Sequence, residues 1–102
     1  MSVIVVATIL PLPEFRDEVI ALFEQTIAAV HDEPGCELYS LHTGEDRLVM
    51  IEKWESSEAL DVHSHAEALQ KLGPALAGKL SGRLDVQVLT AHPAGDPAKG
   101  AL

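Results

Sequence analysis

The sequence predicts a single small α+β domain in which helices pack on a four-stranded antiparallel sheet. Three observations indicate this fold class: segments with strand and helix patterns follow one another in the order β-α-β-β-α-β, the chain has 102 residues, and 47% of them are hydrophobic. That length is typical of one domain. That apolar content is enough for a packed core, so a disordered chain is excluded.

The first strand and the first helix differ in the spacing of their apolar residues. Val3 to Leu10 is apolar and β-branched and is followed by Pro11 and Pro13, a pattern typical of a strand buried on both faces. From Glu14 to about Val30, apolar residues recur at helical spacing. These residues are Phe15, Val19, Leu22, Phe23, Ile27 and Val30. The segment His31–Gly35 ends the helix.

A β-hairpin follows the first helix. Cys36 to His42 predicts the second strand, Thr43–Asp46 a turn that contains glycine, and Arg47 to Glu55 the third strand. Such a short turn between two strand patterns favours antiparallel pairing of the two strands.

A second helix and a fourth strand complete the order. Ser56 or Ser57 caps a helix that we expect to run to about Leu72, because Gly73-Pro74 is a helix-breaking pair. Leu84 to Thr90 then predicts the fourth strand.

This order is the ferredoxin-like plan, in which the first and third strands lie in the middle of the sheet. The strands that are apolar on both faces, Val3–Leu10 and Leu48–Ile51, are the first and the third, so pattern and topology agree. We expect one domain over residues 1–92 and a flexible tail, rich in Pro, Gly and Ala, over residues 93–102.

One face of the predicted sheet needs a cover that the helices cannot provide. Two helices cover only one face of four strands, and an exposed patch of Val, Ile and Leu of that size is rare on a monomer. The simplest cover is the sheet of a second copy. We therefore expect a homodimer joined mainly through sheet faces, with Val49 and Ile51 at or near the contact.

Charge and cysteine content exclude several classes of partner. The net charge is −9, and the seven Lys and Arg residues form no basic stripe, which argues against nucleic acid and anionic membrane. Cys36 is the only cysteine, so no disulfide framework or multi-cysteine metal site is expected. No signal peptide or membrane-length apolar run is recognisable, and we expect a cytoplasmic protein.

The third strand carries the first candidate site residues. Alternate residues share a face, so Leu48, Met50, Glu52 and Trp54 are expected to face the helices. This brings a carboxylate and the only tryptophan into one possible pocket. The alternative is that Trp54 is core and that Glu52 pairs with a base such as Arg83 or Lys53.

The second helix adds His63 and His65, which helical geometry places on opposite flanks of its apolar face. Two positions apart, they do not share a metal, which needs a spacing of three or four. Strand alternation predicts that Tyr39 and Cys36 lie on opposite faces of the sheet. No neighbouring base activates Cys36, so we do not expect it to be a nucleophile. No Gly-rich phosphate loop is present. We therefore expect no bound flavin, haem or metal.

Three segments in register carry a resemblance to a known family: Glu33–Tyr39, Met50–Ser56 and Glu58–His63. Together they resemble the antibiotic biosynthesis monooxygenase (ABM) domain family, over nearly the whole chain up to about Thr90. The resemblance implies a dimeric α+β barrel. It also implies oxygenation of polyaromatic phenols, anthrones or quinols, often without metal or flavin.

The resemblance also implies roles for residues. His63 or Glu52 takes the phenolic proton, Trp54 stacks on the ring, and Tyr39 bonds a quinone oxygen. Leu38 and Met50 join the substrate-binding set.

The chain departs from the family pattern at two positions. It has no asparagine, and the nearest position to the pocket asparagine of relatives is Ala7, so haem degradation is not expected. Ala68 stands where many relatives have a second histidine.

The resemblance, taken with these residues, leaves three functions open. The first is a cofactor-independent monooxygenase that acts with O₂ on a small aromatic, quinol or polyketide-like substrate. The second is a non-catalytic dimeric barrel that binds a hydrophobic metabolite, as in stress tolerance. The third is an isomerase or cyclase in which a His or Glu only moves a proton.

Overall fold

The computed structural model describes residues 2–102, which form four strands and three α-helices in the order β-α-β-β-α-α-β. The strands are β1 (Val3–Ile9), β2 (Cys36–Thr43), β3 (Leu48–Trp54) and β4 (Asp85–Thr90), and the helices are α1 (Arg16–Val30), α2 (Ser57–Ser64) and α3 (Glu67–Leu76). Neighbouring strands are antiparallel, in the spatial order β2-β3-β1-β4. The predicted ferredoxin-like α+β fold, with β1 and β3 in the middle, is confirmed.

The helix side of the sheet holds the core. Along β3, Leu48, Met50, Glu52 and Trp54 are buried while the residues between them are half-buried, as strand alternation predicted. α1 starts after a 3₁₀ turn, Pro13–Phe15, whose proline fits a position where no N–H is needed. It packs its own buried residues onto this side of the sheet; they are Val19, Phe23, Thr26 and Val30.

A β-bulge at the start of β2 changes which residues share a face. Cys36 lies opposite Trp54 and Leu38 lies opposite Lys53, so β2 has one extra residue there. As a result, Cys36 and Tyr39 both pack with the core, and simple alternation was wrong to separate them. Leu38 pairs with Lys53 and lies on the other face of the sheet.

The predicted second helix is in fact two helices. The Ser56 hydroxyl accepts a hydrogen bond from the Ala59 N–H (3.1 Å), so the predicted cap is present. The chain leaves the helix at His65, whose Nδ1 donates to the Asp61 carbonyl and whose own carbonyl accepts from the Gln70 side chain. These local hydrogen bonds stabilise a bend that apolar spacing alone does not reveal.

The break expected at Gly73-Pro74 does not occur, because α3 continues to Leu76. A proline inside a helix costs about 3 kcal/mol. Leu72 and Leu76 are both buried against the core, and full burial of a leucine contributes about 1.5–3 kcal/mol. Two such side chains offset the cost of Pro74.

Within the described residues, no helix packs on the other face of the sheet. Val49, Ile51 and Lys53 of β3 lie there half-buried, and the Lys53 ammonium donates to the main-chain carbonyl of Leu102 (3.0 Å). The flexibility of residues 93–102 stays a prediction. Within residues 2–102, no helix combines the length and the apolar character that crossing a bilayer requires.

Candidate functional site

A cavity of about 480 Å³ lies between the sheet and the helices, beside β4. Its wall is mainly apolar and includes Val5, Phe23, Leu60, Leu69, Leu72, Leu84, Val86 and Val88. Three buried side chains with ionisable groups, Tyr39, Glu52 and His63, line it as well. Exposed residues of α2 also border it; they are Ser57, Asp61 and Ser64. The cavity therefore suits an apolar molecule that carries polar groups.

Glu52 is buried in the middle of β3 and is held by two neighbours. One of its oxygens, Oε1, accepts a hydrogen bond from the Trp54 indole Nε1–H (2.9 Å) and lies 3.9 Å from His63 Nε2. Burial raises the pKa of Glu52, because the hydrogen bond from Trp54 and the charge on His63 offset only part of the lost hydration. The alternative partners Lys53 and Arg83 are wrong: Lys53 lies on the other face, and Trp54 and His63 occupy the contact.

His63 is buried, with only 3% of its surface exposed, and this corrects the flanking position that was expected. That prediction assumed one continuous helix with its apolar face centred between Ala59, Val62, Ala66 and Leu69, whereas Val62 is 56% exposed. The imidazole stacks on Trp54, with ring centroids 4.4 Å apart, and meets the edge of Tyr39.

The second partner of His63 is Glu33, which the sequence places in the helix stop and at the start of a segment that resembles the family, but not among the predicted site residues. His63 Nδ1 lies 2.7 Å from Glu33 Oε1. A carboxylate can only accept, so Nδ1 carries the proton and Nε2, on the side of Glu52, has a free lone pair in the neutral ring. Thirty residues separate this pair, and no local pattern predicts such a contact.

Gly35 explains how Glu33 comes within reach of α2. Its φ is +78°, and a Cβ at this position would lie 2.6 Å from the Ala59 Cβ. Only glycine allows this backbone conformation and this close approach together. Gly35 belongs to the segment that carried the family resemblance. A glycine at this position is a signal in the sequence that could have indicated the close approach.

The remaining predicted contacts lie outside the cavity wall. Trp54 is completely buried beneath Glu52 and His63, so its ring does not face the cavity in this structure. Met50 is buried in the core. The bulge and strand alternation turn Leu38 away from the large cavity. It lines a separate cavity of about 430 Å³ beside β2.

Tyr39 is the third polar group of the site. Burial, followed by the nearby charges of Glu52 and Glu33, raises the pKa of the Tyr39 phenol, so it stays protonated and remains a hydrogen-bond donor. The site thus combines two bases, Glu52 and His63, with one neutral donor. In the part of the chain that the structure describes, no three His, Cys, Asp or Glu side chains are grouped to hold a metal ion.

The chain is similar to known proteins in sequence and in fold. Residues 2–75 match the family described as "Antibiotic biosynthesis monooxygenase". Over 63 residues, 60% of this chain, it is 36% identical to "Putative monooxygenase Rv0793" of Mycobacterium tuberculosis, and the match spans 62% of that relative.

Two solved structures extend the similarity over most of the chain. The structure of Rv0793 has a TM-score of 0.87 at 26% identity, covering 94% of this chain and all of that one. A "putative antibiotic biosynthesis monooxygenase" from Caulobacter crescentus has a TM-score of 0.81 at 26% identity, covering 86% of this chain and 87% of that one.

Proposed function

The chain belongs to the antibiotic biosynthesis monooxygenase family, and on that premise we propose that it is a monooxygenase that oxidises a small aromatic, quinol or polyketide-like substrate with O₂. The observation that carries the proposal is the buried pair of bases, Glu52 and His63, on the wall of an otherwise apolar cavity of about 480 Å³. We propose that no flavin, haem or metal takes part.

The chemistry needs little from the protein beyond binding and a base. Glu52 or His63 removes a phenolic proton, and the phenolate is electron-rich enough to pass an electron to O₂. The oxygen–carbon bond then forms, and for a quinol the products are a hydroxyquinone and water. The substrate itself supplies the two electrons that reduce the second oxygen atom.

The rest of the cavity has a role in this scheme. Its apolar wall keeps water away from the reactive pair, and the Tyr39 hydroxyl donates a hydrogen bond to a substrate oxygen. Trp54 acts through Glu52 and His63, which it holds in place, and does not touch the substrate.

Oxygen consumption with a panel of hydroquinones and anthrones tests the proposal. The expected result is one O₂ consumed for each product molecule, without added cofactor. Tight binding of these compounds without O₂ uptake would favour the non-catalytic barrel. Exchange of a substrate proton with solvent, again without O₂ uptake, would favour an isomerase or cyclase.

We also propose that the protein is a homodimer joined through the uncovered face of the sheet. Support comes from Val49 and Ile51, which lie on a face that no helix covers. On β4, Leu89 is exposed and lies in register with Ile4 and Lys53, on the same face. Apolar surface of this extent usually meets a partner.

A further inference from the structure

We infer that Glu33 is a positioning residue for His63 and the acceptor that takes a proton away from the cavity. The inference rests on the proposed function, in which Glu52 or His63 removes a proton from the ligand. It adds a direction to that step: the proton moves from the cavity to His63, and from His63 to Glu33.

The contacts of His63 define a line of three groups. Nδ1 lies 2.7 Å from Glu33 Oε1, and Nε2 lies 3.9 Å from Glu52 Oε1. The first distance is a short charge-assisted hydrogen bond, which fixes both the ring plane and the tautomer. The second leaves room for a ligand hydroxyl to approach Nε2. His63 therefore presents a lone pair to the cavity because Glu33 holds the other nitrogen.

Glu33 opens onto a different part of the molecule. Glu33 lines a cavity of about 350 Å³, called the second cavity below, which is distinct from the one beside Leu38. The other residues of its wall are Ala29, Ala66, Glu67, Ala68 and Lys71, whereas His63 and Glu52 line the large cavity. The Glu33 side chain retains 13% exposure, and that of His63 only 4%. The imidazole thus separates the two cavities, and Glu33 connects the buried pair with solvent.

The proton count balances along this line. When His63 Nε2 takes the ligand proton, the ring holds two protons and one positive charge. Nδ1 then gives its proton to the Glu33 carboxylate, which becomes a neutral carboxylic acid and loses the proton to water in the second cavity. His63 is then neutral, with its proton on Nε2. It regains the resting tautomer when Nε2 gives this proton to the reduced oxygen of the product and Nδ1 takes a proton from solvent through Glu33.

The ionisable groups around His63 come from several elements of the fold. Carboxylates lie on both of its sides, Glu33 and Glu52, while burial raises the pKa of the Tyr39 phenol and of the Cys36 thiol and keeps both neutral. On the outer side, Glu67 and Lys71 bind each other (2.7 Å) and bring no net charge. Glu33 is consequently the charge that faces Nδ1 directly.

Two substitutions of Glu33 separate positioning from proton acceptance. Glu33→Gln retains a carbonyl that can accept from Nδ1–H but cannot take a proton, whereas Glu33→Ala loses both properties. Glu67→Gln is the matched control, because Glu67 lines the same small cavity and its ion pair is with Lys71. The tautomer is read by ¹⁵N NMR of the full chain, with the His63 signals assigned from a His63→Ala sample.

We expect Nδ1–H in the wild type, in Glu33→Gln and in Glu67→Gln, and a mixture of tautomers in Glu33→Ala. The second readout is the phenolate absorbance of 4-nitrophenol bound without oxygen. Here Glu33→Gln should reduce the ionised fraction of 4-nitrophenol relative to wild type, because a neutral amide cannot stabilise a positive charge on His63 as the Glu33 carboxylate does. On the quinol panel, turnover of Glu33→Gln should fall by roughly 10–100-fold, the usual effect of removing a residue that supports a catalytic group.

An unchanged tautomer in Glu33→Ala, or a wild-type phenolate fraction in Glu33→Gln, would overturn the inference. The proposed function fails in a different way: no oxygen uptake by the wild type, with the tautomer and phenolate effects still present, counts against oxygenation alone.

Discussion

Two histidines that are neighbours in the sequence should respond differently to the same substitution. His63 is buried between Glu33 and Glu52, whereas His65 is exposed at the end of α2. A positioned general base contributes about 10²–10⁴-fold to a rate. His63→Ala should therefore lower quinol-dependent oxygen consumption by that factor, and His65→Ala should leave it close to wild type.

Glu52→Gln provides the complementary test of the same proposal. Wild-type turnover in both His63→Ala and Glu52→Gln would leave these residues as structural ones, and the base would have to be sought elsewhere in the cavity. Circular dichroism of each variant separates loss of activity from loss of folding.

Glu52 should also give the stability of the protein a dependence on pH. Burial raises the pKa of Glu52, so the folded state keeps this proton to a higher pH than the unfolded state does. The stabilisation that comes with this proton is present at low pH and is lost as the pH rises from the ordinary glutamate range through the raised pKa. Glu52→Gln stays neutral throughout, so its unfolding free energy should increase relative to wild type over that interval.

Urea denaturation at several pH values measures this difference, and Glu24→Gln, on the exposed surface of α1, is the control. A difference between Glu52→Gln and wild type that does not change with pH would contradict a raised pKa. The same proton must leave before Glu52 can act as a base. As the pH is lowered, turnover should therefore begin to fall at a higher pH than it would for a carboxylate with an ordinary pKa.

The sequence identified part of this site and missed the rest for physical reasons. Glu52, Tyr39 and His63 were singled out, and the structure brings them together on one cavity wall. Glu33 was not, because its contact with His63 depends on how a loop lies against a helix and not on any periodic spacing.

At the scale of elements, the approach of the loop before β2 to α2 depends on Gly35. Gly35→Ala places a side chain at positive φ, which costs about 1–2 kcal/mol, and forces its Cβ against that of Ala59. Gly78→Ala is the matched control, because Gly78 has a φ of +77° with no atom within 4 Å of the added Cβ. Chemical denaturation should show a larger loss of stability for Gly35→Ala than for Gly78→Ala.

Equal losses in the two variants would mean that the loop moves freely and that the contact with Ala59 does not matter. If Gly35→Ala loses more stability than Gly78→Ala, we also expect its displaced loop to weaken the Glu33–His63 hydrogen bond. The histidine NMR signals report that change.

The elements themselves were largely predictable, and the exceptions share one cause. All four strands and the first helix follow the spacing of apolar residues, which reports burial. The bulge at Glu37 and the bend at His65 are local changes of backbone direction, made by hydrogen bonds and strand pairing that spacing does not encode. Each of them changes the phase between the residues on its two sides, so a single period applied across it relates Cys36 to Tyr39, and Val62 to the residues of α3, incorrectly.

At the scale of the whole molecule, the proposed homodimer makes a prediction about Ile51. If a second copy covers this face of the sheet, Ile51→Asp buries a charge without a partner, which is strongly unfavourable. The variant should dissociate or unfold. Val62→Asp is the control, because Val62 is exposed on α2, away from this face. Light scattering should report a dimer for the wild type and for Val62→Asp; a wild-type monomer at micromolar concentration would rule the dimer out.

The position of β4 has a consequence for how the molecule opens. β4 pairs only with β1, and all six of its residues are exposed, so separating it from the sheet uncovers less apolar surface than separating any inner strand would. Val86 and Val88 of this strand are also part of the cavity wall. We therefore expect the large cavity to be bounded on one side by a strand that separates from the sheet more readily than the inner strands do, while Glu52 and His63 lie on β3 and α2. Separation of β4 would let a bulky planar ligand enter without moving the buried bases that would act on it.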